Sequence, residues 1–262
     1  MTQSANSAFL EVSDLTLAYK TNGYWINAVE NVSFSVKESE RLILLGASGC
    51  GKSTILKAIG GFIKPTAGRI VFSGEEIKKP AADRAMVFQE FDQLLPWKSA
   101  LENIVFALRA ARKIAKKEAI DRARLWLSKV GLSGFENSYP HTLSGGMKQR
   151  AAIARALALG SKAILMDEPF ASLDALTRKE MQEELLSLWN ETRFTLVFVT
   201  HSIDEALILG DKIVMLSARP GKVIETIDSP LANGIAIKDA QFGELKDRVS
   251  RILFKDRLEY VI

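Results

Sequence analysis

An α/β fold with a helical lobe inserted into a mixed or parallel sheet is what this sequence predicts, on three observations. The short apolar runs "RAMVFQ" (84–89), "KAILMD" (162–167) and "FTLVFVTH" (194–201) are those of strands buried on both faces. Residues 9–20 and 28–46 alternate apolar with polar, as in "LEVSDLTLAY", and read as strands of an antiparallel N-terminal region. From about 92 to 158 the pattern is almost wholly helical and lies between two sheet segments.

Taken in order, the strands at 9–20 and 28–46 lead into a helix over 51–62. "TAGRIVFSGEEI" (66–77) adds a hairpin-like strand after a Gly turn, and 84–89 follows. Helical periodicity then covers 99–112, 116–132 and 144–160, and after the strand at 162–167 it returns at 174–191. The strand at 194–201 feeds a helix over 202–209. In the tail, 239–257, Phe242, Leu245, Val249, Ile252 and Leu253 share one helical face, a stripe expected to pack on its own domain. The organisation expected is one domain over 1–262, with a helical subdomain about 92–158 and a short helical tail about 239–258.

Composition narrows the function classes. The 262 residues carry 35 basic and 31 acidic side chains, a net charge of +4, and no block of like charge, so no nucleic-acid stripe is expected. One cysteine excludes an internal disulfide and fits a reducing compartment. The opening residues lack the basic and apolar regions of a signal peptide, and no apolar run approaches the ~18 residues that span a bilayer.

The chemistry starts at "ILLGASGCGKST" (43–54). Gly46, Gly49, Gly51, Lys52 and Ser53 fit G-x-x-x-x-G-K-[ST], a pattern in which glycines turn backbone N–H groups inward above a helix N-terminus. Gly46, Ala47, Ser48, Gly49, Cys50, Gly51, Lys52, Ser53 and Thr54 are therefore the candidate ATP contacts. Lys52 can reach the β- and γ-phosphates, the Ser53 hydroxyl can ligate Mg²⁺, and Thr54 lies near the α-phosphate. "AILMDEP" ends an apolar strand in Asp167, which can hold the Mg²⁺ shell, and Glu168, which can orient the attacking water. Cys50, at a helix N-terminus near Lys52, is expected to react with maleimide, the alternative being a buried small hydrophobe.

Between these two elements, "LSGGMKQR" (143–150) resembles the signature motif of ABC-type ATPases, and Gln89 in "VFQ", Asp174 in "SLDA" and His201 in "VTHSIDEA" follow that family's order. The resemblance runs from about residue 9 to 228. It implies a P-loop ABC ATPase core and a single nucleotide-binding domain whose cofactors are ATP and Mg²⁺. It also implies that Ser144, Gly145 and Gly146 close over the P-loop of a second copy in an ATP sandwich, with Asp174 in the adjoining loop. Gln89 joins Ser53 and Asp167 at the metal and leads to the helical lobe, His201 meets the γ-phosphate, and Tyr19 stacks on adenine. The insertion "KTNGYW" leaves Tyr24 and Trp25 as alternatives. His141 is read as a loop residue.

"LLPW" (94–97), "DALTR" (174–178) and "SARPGKV" (217–223) look like the nitrate/sulfonate/taurine group of bacterial importers, which also includes transporters of thiamine-precursor pyrimidines. By that resemblance the partners are an integral membrane permease and, indirectly, a solute-binding protein, at the cytoplasmic face of the inner membrane. "LLPW" either forms the groove for a permease helix or packs inside the lobe. Two departures from the family stand out. Ser39 replaces a glycine in a turn needing φ > 0, and Ser202 replaces an acid after His201.

Overall fold

The computed structural model describes residues 8–21, 23–89, 93–229 and 240–259. In chain order the elements begin with β1 (Leu10–Thr21), β2 (Tyr24–Val36), β3 (Arg41–Gly46), α1 (Lys52–Ile59), β4 (Ala67–Phe72), β5 (Glu75–Glu76) and β6 (Arg84–Val87). Then come α2 (Ala100–Arg112), α3 (Lys116–Lys129), α4 (Gly145–Ala158), β7 (Ala163–Asp167) and α5 (Ala175–Thr192). The chain ends with β8 (Thr195–Thr200), α6 (Ile203–Leu209), β9 (Lys212–Leu216), β10 (Val223–Asp228) and α7 (Ala240–Glu259). Two compact units result, one of Met1–Pro80 with Thr195–Ile262, the other of Ala81–Phe194.

In the first unit the alternation of β1 becomes an antiparallel sheet in the order β2-β1-β4-β5. Leu10, Val12, Leu15 and Leu17 point inward, and the break in their period falls at a register shift beside Asp14, whose φ is 50°. Residues 28–46 are not one strand. A turn interrupts them at Glu40 N–H···O=C Lys37, 3.2 Å, and Ser39 there adopts φ 60°, the left-handed conformation the missing glycine would have eased. The Ser39 N–H is held by the Thr195 hydroxyl at 3.0 Å.

β3 is buried at every position because β8 and β9 flank it in parallel register while α1 and α6 pack against it. Each fully buried Leu or Ile there contributes about 1.5–3 kcal/mol. β10 closes that edge antiparallel to β9. Arg41, 1% exposed, starts β3 with a bidentate pair to Asp211 before β9, at 3.1 and 2.7 Å. Removing one partner of such a pair costs about 3–5 kcal/mol, which makes it a register pin. In α7, Phe242 and Val249 are buried, so the tail stripe does pack on this unit, beside α6.

In the second unit β6 and β7 run parallel, and α2, α3 and α4 pack on one another with α4 also against β6. Five alanines between Ala151 and Ala158 are buried together with Gln149, Ile153 and Leu157, so the signature helix is packed on several sides over its second half. α2 opens with a capping box in which Ser99 and Glu102 satisfy each other's main-chain N–H groups. No helix of the described residues is long and apolar enough to cross a membrane.

Candidate active site

In the first unit, the turn from β3 into α1 places the glycine-rich stretch at the carboxyl edge of the parallel strands. Gly49 and Gly51 take φ 81° and 99°, which turn successive N–H groups to one side. A side chain on Gly51 would also strike the Ala28 carbonyl at 2.8 Å. Lys52 opens α1, is 3% exposed, and donates from Nζ to the carbonyls of Gly46 and Ala47, both at 2.9 Å. Its ammonium thus crosses the mouth of the loop, where a bound anion competes with those two carbonyls for it. Ser53 and Thr54 follow in the first turn, half-buried. Because Leu45 pairs with Thr200, His201 emerges one residue beyond the same edge, exposed.

Ser202 fits the turn from β8 into α6. It caps α6, its hydroxyl accepting from Glu205 N–H at 3.3 Å, and its own N–H donates to the Thr200 hydroxyl at 3.0 Å. That hydroxyl in turn donates to buried Glu205 at 2.5 Å. The missing acid has been replaced by a cap, and the segment carrying His201 is tied to Glu205 of α6 by two hydrogen bonds and braced by a third within itself.

The "SARPGKV" loop, whose site role sequence reasoning missed, walls this cradle. Gly221 bonds to Ala28 and Glu30 main chain, and a side chain there would meet the Cys50 carbonyl at 2.1 Å. From the same loop Arg219 lies over the Tyr19 ring, 4.8 Å to its centre. Tyr19 is therefore linked to the cradle. Tyr24 and Trp25 sit further along the β1–β2 hairpin, which closes at Thr21 opposite Tyr24, and are 77% and 68% exposed.

Cys50 corrects an expectation. Its Sγ is 3.9 Å from Lys52 Nζ, but the residue is 1% exposed, and it fills the space a Gly46 side chain would need. The thiol faces the packing between the loop and β9, where a maleimide finds no open approach. N-ethylmaleimide at neutral pH is expected to label the folded chain far more slowly than the urea-unfolded chain, read by intact mass. Equal rates would mean that the loop is open in solution.

In the second unit the site residues also gather at one strand edge. Val87 pairs with Met166, so Gln89 and Glu168 each lie two residues past the last rung. Asp167 is buried at 6% exposure, and Gln89 is exposed. Glu168 adopts φ 43° directly after a buried strand, a strained position for a non-glycine residue that persists only where its surroundings hold it. Asp167 and Gln89 each present side-chain oxygen, a hard donor of the kind that suits Mg²⁺.

Ser144 caps α4, its hydroxyl accepting from Met147 N–H at 3.3 Å, and the Gly145–Gly146 first turn carries no acid. The helix end is solvent-accessible and electropositive, as an anion requires. Asp174 caps α5, accepting from Thr177 and Leu176 N–H at 3.0 and 3.1 Å, bonds that hold its carboxyl below the usual range. Thr177 also lies where a Gly146 side chain would come within 3.1 Å, so the two capped helix ends abut. His141, read as a loop residue, lies instead in a single 3₁₀ turn over Pro140–Thr142, exposed and stacked on Tyr139.

"LLPW" divides. Leu94 is buried at 2% exposure, whereas Trp97 is 69% exposed. The divider is Asn103, itself 1% exposed, which accepts from Leu95 N–H and donates to the carbonyls of Leu95, Lys98 and Ser99 at 3.0–3.2 Å. One buried amide thus rigidifies the segment that presents the tryptophan.

Comparison with known proteins fits this geometry. Residues 29–171 match the family described as ABC transporter. The taurine import ATP-binding protein TauB of Rhizobium johnstonii is 45% identical over 239 residues, covering 88% of this chain and 90% of that one. The nitrate import ATP-binding protein NrtD of Synechococcus elongatus is 40% identical, covering 96% and 94%. A dimeric ATP-binding cassette in a post-hydrolysis state with ADP and Pi superposes at TM-score 0.74 with 34% identity, covering 84% of this chain and 98% of that one. On a family model that spans residues 29–171 and relatives that match 88% and 96% of its length, this chain belongs to the ABC transporter family.

Proposed function

We propose that the chain is the ATP-hydrolysing subunit of a bacterial importer that takes up a small solute, taurine, nitrate or a related sulfonate, through a separate permease. The observation that carries this is the pair of anion-receiving helix ends, α1 in one unit and α4 in the other. One triphosphate needs one cradle. A second copy supplies the complement, each Ser144–Gly146 end closing over the partner's loop. The likeness to a dimeric cassette supports the pairing, and the likeness to taurine and nitrate import proteins supports a solute of that kind over a pyrimidine.

The reading takes 1–262 as a single cassette, with a helical subdomain about 92–158 and a tail about 239–258, and gives its residues the following roles. Tyr19, with Arg219 behind it, receives adenine. The N–H groups of residues 47–54 surround the phosphates, and Lys52 exchanges its two carbonyl partners for phosphate oxygens. Ser53, Gln89 and Asp167 hold Mg²⁺, which neutralises phosphate charge. Glu168 takes the proton of the attacking water while His201 keeps the γ-phosphate in line. The chain works at the cytoplasmic face of the inner membrane, held there by the permease.

The isolated chain is expected to hydrolyse ATP slowly and to speed up with its permease and loaded solute-binding protein. The warrant for the docking face is Trp97, exposed on a segment that Asn103 makes rigid. Trp97→Glu should abolish that stimulation in proteoliposomes while basal phosphate release stays within about twofold, as for a surface change. Loss of both together would place Trp97 in the core.

A further inference from the structure

The ladder between β6 and β7 ends at Val87–Met166, one residue short of Phe88 and two short of Gln89. What continues it is a side chain. The Phe88 N–H donates to Gln93 Oε1 at 3.1 Å, and Gln93 Nε2 donates back to the Phe88 carbonyl at 3.0 Å, so one carboxamide reproduces a rung of sheet. The same Nε2 lies 3.4 Å from Oε1 of Gln149, which sits fully buried in α4 five residues after the Ser144 cap. Arg155, one and a half turns further along α4, donates from Nη1 to the Gln93 carbonyl at 2.8 Å. Burial pushes the Arg155 pKa down, yet a guanidinium stays charged, so this bond is charge-assisted. The side chain and the carbonyl of one residue thus tie the end of β6 to the signature helix, all within the second unit.

We propose that Gln93 is a positioning residue, its carboxamide fixing the main chain that carries Gln89 so that the Gln89 oxygen is held for Mg²⁺ and stays in register with α4. The proposal rests on the reading of Gln89 as a metal-side residue. A residue that orients a metal ligand through the backbone acts as outer-shell partners do, and losing such a partner weakens metal affinity by about 10–100-fold. Gln93→Met keeps the length and removes both hydrogen-bonding atoms. Gln149→Met removes the α4 side of the contact alone and is the milder change.

The test measures affinity of the full-length chain for a fluorescent ATP analogue with Mg²⁺ and with EDTA, beside thermal unfolding. Gln93→Met is expected to weaken Mg²⁺-dependent binding about tenfold and leave the EDTA value unchanged. Gln149→Met should shift it in the same direction by less, and the double variant should add little to Gln93→Met. Gln89→Ala separates the two ideas. If Gln89→Ala weakens Mg²⁺-dependent binding and Gln93→Met does not, the positioning role is wrong. If Gln89→Ala itself leaves Mg²⁺-dependent binding unchanged, the metal-side reading beneath it is wrong. A Gln93→Met chain that melts earlier but keeps both affinities has lost only a structural bond, and that overturns the proposal. Should Gln93→Met not fold, Gln149→Met decides by the same comparison.

Discussion

Glu168→Gln is expected to retain ATP binding and lose steady-state hydrolysis by about a hundred- to ten-thousand-fold, the range that a positioned general base supplies. An amide cannot accept the proton of the attacking water. The replacement is close in shape, and Gln tolerates φ 43° no worse than Glu, so the strained turn after β7 should persist. Phosphate release and nucleotide binding on the same preparation check this. Weakened binding together with lost turnover would mean that Glu168 supports the fold of the loop. Glu168→Gly sharpens the point. It relaxes the backbone yet removes the base, and should be as inactive as the amide.

Lys52→Ala should act one step earlier. Its hydrogen bonds to phosphate are charge-assisted, worth about 1.5–3 kcal/mol, which corresponds to roughly ten- to a hundred-fold weaker affinity. The variant also loses the bonds to the Gly46 and Ala47 carbonyls that span the loop. That loss should stay local, because Ile55, Leu56 and Ile59 anchor α1 in the core and are untouched. Calorimetric titration with ATP, beside a melting curve, separates the effects. A normal melt with weak binding assigns Lys52 to the phosphates, whereas unchanged affinity removes it from the site.

The places where the sequence could be read are those where cause is local. Ser99, Ser144, Asp174 and Ser202 sit at helix N-caps that composition and spacing announce, and each helix starts directly after its cap. The parallel strands were legible as apolar runs because burial on both faces leaves no alternation to decode. β9 and β10 are missing from the sequence reading although "KIVML" is just such a run, because the adjoining "SARPGKV" carries a family resemblance and no strand periodicity. Residues 28–46 alternate as one strand because the four-residue turn at 37–40 carries a serine at φ 60° where a glycine would have marked the break.

Within the site, the motif residues were legible because glycine geometry and strand-end acids have short-range causes. Cys50 was misjudged for the opposite reason. Its burial comes from Gly46, β9 and the 217–222 loop, which lie far away in sequence. Gln93 and Asn103 went unseen on the same account. A glutamine and an asparagine in a polar stretch carry no signal until packing brings Phe88, Gln149 and the Leu95–Ser99 carbonyls around them.

The central claim, that one chain holds half of each of two ATP sites, is tested most directly by light scattering on the Glu168→Gln protein. Without nucleotide its mass should be near that of one 28.9 kDa chain, and with saturating Mg-ATP near twice that value. Adding Ser144→Arg, which places bulk and charge on the exposed α4 end, should return the mass to one chain while ATP still binds. A Glu168→Gln chain that binds ATP and remains a single copy would contradict the paired site.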